Sequence, residues 1–178
     1  MTDLPRAEVT IRHMQEADLE RVREIDRLSF SLPWPERAYE TELRENQHSI
    51  SMVAEKVTGD GPAQVVGVVV AWMVVDEVHV ATISVHPEQR GQGISRLLLA
   101  QVLEEGIRRK AILATLEVRA GNHAAQALYQ RFGFKVVGDR PRYYLDNQED
   151  ALIMTADLME ERLPGVSYLE WLRERGYE

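Results

Sequence analysis

"ISVHPEQRGQGISRLLLAQVL", residues 83–103, runs from a β-branched segment through one proline and two glycines into a leucine-rich stretch. Glu77–Val85 reads as a strand, and Ile94–Lys110 carries its apolar residues at the spacing of a long amphipathic helix. The first turn of a helix offers unpaired N–H groups and a partial positive charge. Glycines just before it let those amides approach an anion without a Cβ in the way. The junction is therefore a strand–loop–helix unit with a place for a phosphate. Its plainer alternative is a tight turn that binds nothing.

Two nucleotide motifs fail on detail. A P-loop closes on Gly-Lys-Ser/Thr, whereas Gly93 is followed by Ile94-Ser95. A dinucleotide fingerprint needs a third small residue where Arg96 stands, and it normally opens a domain rather than following four strands.

Outward from the junction, Glu8–His13 alternates like a strand. Glu16–Leu28 sets Leu19, Val22, Ile25 and Leu28 at helical spacing. Pro35 suits the first turn of a second helix running to about Asn46. Ile50–Lys56 and Gln64–Val75 read as a hairpin around Thr58-Gly59-Asp60-Gly61-Pro62. Beyond the long helix, Ile112–Val118 is a strand. Ala124–Phe132 is a short helix capped by Asn122 and stopped by Gly133. The seven-residue spacing of Asn122 and Tyr129 puts both on one face, and Gly121 suits a positive φ. Phe134–Val137 and Asp150–Leu158 are the last strands, and Ser167-Tyr-Leu-Glu170 is a capping box opening a terminal helix. The order β-α-α-β-β-β-α-β-α-β-β is that of a mixed α/β domain.

At 178 residues the chain suits one domain with a core of its own. It has no cysteine, which removes thiolate chemistry and suits a reducing, cytoplasmic setting. Residues 1–14 lack the apolar stretch of a secretory signal, and the longest apolar run, Val65–Val75, is far below the ~20 residues of a membrane helix. A net charge of −8 opposes broad nucleic-acid binding and is compatible with a cationic partner. The five histidines show no paired ligand spacing, so no metal is expected.

Arg90-Gly91-Gln92-Gly93-Ile94-Ser95 resembles the acyl-CoA pyrophosphate loop of the GNAT superfamily of N-acetyltransferases, with Ser95 in place of the usual Gly or Ala. "LEVRAGNHAAQALYQRFGFKVVG" (116–138) and "RYYLDNQEDALIM" (142–154) are similar to the second half of bacterial ribosomal-protein-alanine N-acetyltransferases. "SFSLPWPERAY" (29–39) is similar to their substrate loop. The likeness covers about residues 8–158. It implies a GNAT fold, a mixed and mostly antiparallel sheet of six to seven strands flanked by about four helices and splayed between strands 4 and 5. Residues 159–178 form a C-terminal helical extension outside that domain.

Acetyl transfer from a thioester to an amine needs a phosphate site, an edge for the pantetheine amides, a base for the ammonium and an acid for the thiolate. The resemblance implies acetyl-CoA as co-substrate, held by Arg90, Gly91, Gln92, Gly93, Ile94, Ser95 and Arg96 and by Asn122. It places pantetheine along Ile83-Ser84-Val85, where a backbone N–H also serves the oxyanion. It makes Glu117 the proton acceptor and Tyr129 the proton donor. Read from the residues alone, Glu117 also fits a plain solvent-facing position, and Tyr129 a core tyrosine. Phe30, Pro33 and Trp34, with Tyr143 and Tyr144, are implied to wall a slot for a peptide N-terminus; edge-of-core packing is their alternative. The expected protein is a cytoplasmic enzyme, monomer or homodimer, acetylating a protein N-terminus, with no direct nucleic acid or membrane partner. Its rivals are a GNAT enzyme acting on a small amine or lysine, and a non-catalytic acyl-CoA sensor.

Overall fold

The computed structural model describes residues 9–57, 61–159 and 167–174. In chain order it contains β1 (Val9–His13), α1 (Leu19–Ser29), α2 (Ala38–Arg44), β2 (Ser49–Lys56), β3 (Gln64–Val74) and β4 (Glu77–Val85). There follow α3 (Ile94–Arg108), β5 (Leu113–Arg119), α4 (His123–Arg131), β6 (Lys135–Tyr144), β7 (Glu149–Asp157) and α5 (Tyr168–Glu174). The strands form one seven-stranded sheet in the order β1-β2-β3-β4-β5-β7-β6. β1–β2, β5–β7 and β6–β7 are antiparallel, and β4–β5 is parallel. This is the expected mixed architecture. The turn expected at Thr58–Pro62 lies partly outside the described residues.

The chain divides into two compact units, Met1–Val70 with Thr82–Leu99, and Ala71–Ala81 with Ala100–Glu178. In the first, Val22 and Ile25 of α1, Ile50, Val53 and Ala54 of β2, and Val68–Val70 of β3 are fully buried. The unbroken apolar run of β3 is the pattern of a strand covered on both faces. A Cβ at Gly67 would meet Leu98 Cδ1 at 3.0 Å, the Ser84 carbonyl at 3.1 Å and Ile94 Cγ2 at 3.3 Å. The missing side chain lets the first turns of α3 seat on β3. That seat fixes where the helix N-terminus points.

In the second unit Leu116, Phe132, Phe134, Met154 and Val78 are buried. Gly106 does there what Gly67 does in the first unit, since a Cβ on it would lie 2.0 Å from Val78 Cγ2. The alternation of β5 buries Ala114, Leu116 and Val118 and leaves Thr115, Glu117 and Arg119 on the other face. The β4–β5 pairs run from Glu77↔Leu113 to Val80↔Leu116. Ile83, Ser84 and Val85 enter no β4–β5 pair among the described residues.

Several expectations are corrected. The first helix begins with a separate 3-10 turn, Glu16–Asp18, because the Asp18 carboxylate accepts from Gln15 N at 2.7 Å and from Arg12 at 2.7 Å. α2 starts at Ala38 rather than Pro35, whose carbonyl instead closes a turn onto Ala38 N at 2.8 Å. β6 extends to Tyr144 rather than stopping at Val137. Register shifts at Val136/Gly138 and Arg140/Tyr144 let the strand pass through Gly138 and Pro141, residues that a regular strand disfavours. Gly121 is not among the residues at positive φ. A Cβ there would instead lie 2.9 Å from Glu149 Oε1, whose carboxylate accepts from Gly121 N at 2.7 Å. The terminal capping box forms: Glu170 N donates to Ser167 Oγ at 3.3 Å, and Ser167 N to Glu170 Oε2 at 2.9 Å.

Candidate active site

The phosphate loop belongs to the first unit. His86 N donates to Val66 O at 2.8 Å, and a 3-10 turn at Pro87–Gln89 then leads to Arg90. Gly91 and Gly93 both sit at φ +77°, a left-handed conformation that disfavours a Cβ. A Cβ on either would find nothing within 4 Å, so the backbone there faces open space. The loop is tethered from three directions. Arg90 donates to Val85 O at 3.1 Å and to Ser29 Oγ at 3.2 Å. Lys56 Nζ donates to the amide oxygens of Gln89 at 2.8 Å and Gln92 at 2.6 Å. The Nε of Arg96 and the Oγ of Ser84 are buried and have no hydrogen-bond partner among the described residues.

The candidate acid and base belong to the second unit. Glu117 is 13% exposed at its side chain. Its Oε2 lies 2.8 Å from His79 Nε2, and its Oε1 lies 3.3 Å from an Arg140 nitrogen. His79 rests against Trp72, ring centres 5.6 Å apart. Tyr129 is buried against Phe134 at 5.9 Å, and burial pushes its hydroxyl well above the usual tyrosine range, with Tyr144 adding to the shift. Such a phenol keeps its proton at physiological pH, so its O–H is present as a donor there. Burial also raises Tyr144, to about 12, against the opposing effect of Arg119. The Arg119 guanidinium lies 3.8 Å above the Tyr144 ring and is held by Asp146 at 2.7 Å and Glu149 at 3.2 Å. Tyr143 meets Tyr144 edge-on at 5.3 Å.

The aromatic loop after α1 is anchored by one buried carboxylate. Asp26, 1% exposed, accepts from Trp34 N and from the Tyr39 hydroxyl, both at 2.7 Å. The Trp34 ring stacks on Tyr39 at 5.0 Å. Phe30 and Pro33 are exposed beside it.

A model of the acetyltransferase (GNAT) family matches residues 19–134. The chain belongs to the GNAT acetyltransferase family. A Bacillus subtilis (strain 168) relative, named as a candidate ribosomal protein bS18-alanine N-acetyltransferase, is 37% identical over 155 residues, 87% of this chain and 99% of its own length. The ribosomal protein bS18-alanine N-acetyltransferase of Escherichia coli (strain K12) is 31% identical over 147 residues, 82% of this chain and 95% of its own. The crystal structure of the ribosomal-protein-S18-alanine N-acetyltransferase from Escherichia coli superposes with a TM-score of 0.75 at 28% identity, covering 89% of this chain and 99% of that one. As a GNAT enzyme, the protein uses acetyl-CoA as acetyl donor.

Against the GNAT motif positions, the loop residues 90–96 with Ile83, Ser84 and Val85 fall in the first unit, together with Phe30, Pro33 and Trp34. Glu117, Asn122, Tyr129, Tyr143 and Tyr144 fall in the second. The expected common face of Asn122 and Tyr129 is corrected: Asn122 is exposed and Tyr129 buried. Asn122 is the N-cap, with ψ 69° outside the helical range, so heptad spacing does not carry across it. Its Oδ1 accepts from Ala125 N at 3.1 Å. Sequence reasoning missed His79, Arg140, Asp26 and Lys56. His79 and Arg140 meet Glu117 across strands, and only the sheet register could have paired them. Asp26 looked like any polar residue of an amphipathic helix.

Proposed function

We propose that this GNAT enzyme acetylates the α-amine of a protein N-terminus, an N-terminal alanine of a ribosomal protein being the first candidate, by direct attack in a ternary complex. The relatives' names supply the acceptor class. The observation that carries the proposal is Glu117, a carboxylate withdrawn from solvent and held between His79 and Arg140. An α-ammonium has an ordinary pKa near ~8 and a lysine ammonium near ~10.4, so a carboxylate base works more easily on the former.

Bound acetyl-CoA supplies a thioester carbonyl activated toward amines. The chain's own groups do the remaining work. The open backbone at Gly91 and Gly93 fits a phosphate, with residues 90–96 and Asn122 as its holders. Ile83–Val85 offers backbone groups to pantetheine and the oxyanion. Glu117 takes the ammonium proton, directly or through water, and Tyr129 gives its proton to the departing sulfur. With no cysteine in the chain, no acyl-cysteine intermediate enters the route. The domain is taken as residues 1–158 with a helical extension from 159. The proposed setting is the cytoplasm, which a chain without cysteine suits, and the proposed state is a monomer or homodimer.

Mass spectrometry of a peptide mixture with varied first residues, incubated with enzyme and acetyl-CoA, tests the proposal. Acetyl on the α-nitrogen of alanine-initiated peptides is expected. Acetyl confined to lysine side chains, or none, overturns it in favour of a lysine enzyme or an acyl-CoA sensor.

A further inference from the structure

Lys56 closes β2, and its ammonium is tied to the phosphate loop. Its two acceptors, Gln89 Oε1 and Gln92 Oε1, are neutral amides, and Gln92 stands between the two positive-φ glycines. Gln92 Nε2 in turn donates to Gln89 Oε1 at 3.3 Å, so the three side chains form one network. Several other cations of the first unit are held in ion pairs: Arg12 by Asp18 and Glu55, Arg21 by Glu24, Arg23 by Glu40, Arg44 by Glu16 and Glu40. Lys56 forms no ion pair among the described residues, in a chain with 29 acidic and 21 basic side chains. An ammonium carries three N–H donors, and two of them are engaged here. A positive charge is thus fixed beside open backbone at a helix N-terminus, with one donor unused among the described residues.

We propose that Lys56 is a further cofactor-binding residue, pairing with a phosphate of coenzyme A. The proposal rests on the assignment of residues 90–96 as the phosphate loop. The amide network holds the ammonium in place before the ligand arrives, so little side-chain freedom is lost on binding. Of the two arginines in the loop, Arg90 is turned onto Val85 O and Ser29 Oγ, which leaves Lys56 better placed than Arg90 for an incoming anion.

Calorimetric titration of CoA and of 3′-dephospho-CoA into wild type, Lys56→Gln and Lys56→Arg, at low and high salt, tests this. Glutamine keeps a polar partner for the amides and removes the charge. Lys56→Gln is expected to weaken CoA binding about fivefold or more at low salt, with the gap narrowing at high salt. Lys56→Arg should stay within about twofold of wild type. A deficit that disappears with 3′-dephospho-CoA assigns the contact to the 3′-phosphate, and one that persists assigns it to the pyrophosphate. Wild-type affinity in Lys56→Gln, or a loss independent of salt, overturns the charge role. A wild-type protein that binds neither ligand overturns the loop assignment itself.

Discussion

Glu117 shares a face of β5 with Thr115 and Arg119, and its direct neighbours Leu116 and Val118 point into the core. A carboxylate so placed is held oriented by His79 and Arg140. Glu117→Gln is therefore expected to lower kcat by about 10²-fold or more while the Kd for acetyl-CoA is unchanged. Steady-state rates alongside a binding titration check it, and full turnover in the variant would remove Glu117 from the chemistry. Tyr129→Phe should likewise reduce kcat and leave acetyl-CoA affinity intact. A weakened affinity with normal kcat would make the hydroxyl a binding group instead. Glu117 and Tyr129 were singled out in the sequence because each lies inside a contiguous motif. His79 and Arg140 were not, since their partner is on another strand.

At the scale of elements, two glycines decide where α3 lies. Gly106→Ala would press a methyl into the buried, β-branched Val78. A loss of about 1–3 kcal/mol in urea unfolding is expected, partly recovered by adding Val78→Ala. Unchanged stability would mean that the helix slides freely on its strand. The anchored loop after α1 gives a second test. Asp26→Ala strands the Trp34 N–H and the Tyr39 hydroxyl, so peptide KM should rise by about tenfold or more with acetyl-CoA affinity preserved. An unchanged KM would detach that loop from acceptor binding. The order of strands and α-helices was readable from period-two alternation in β1 and β5, the apolar run of β3, and helical spacing in α1 and α3. The ends were harder. β6 passes through Gly138 and Pro141 because its bulges tolerate them, and the start of α1 yields to the ion pair of Asp18 with Arg12. Both outcomes depend on partners distant in sequence.

For the whole molecule, three tyrosines set the alkaline limit of stability. Burial raises the hydroxyls of Tyr39, Tyr129 and Tyr144 above their ordinary value. The unfolded chain releases these protons near pH ~10 while the folded chain keeps them, so stability falls as pH rises past ~10 and is untouched by them below. Urea midpoints should be flat up to about pH 9 and drop above about pH 10, and a rise there would contradict the burial. The net charge of −8 bears on function, since a basic peptide should be drawn in more slowly as salt is added. That charge was plain in the sequence; the grouping of the loop with Phe30, Pro33 and Trp34 in one unit, and of Glu117 and Tyr129 with Tyr143 and Tyr144 in the other, was not. The central claim is that the acceptor is an α-amine. It is tested most directly by kcat/KM for an alanine-initiated, arginine-bearing peptide against its N-terminally blocked, lysine-containing twin. The free α-amine peptide should react far faster, with a rate that falls as salt rises; equal rates, or a faster blocked twin, would contradict the assignment.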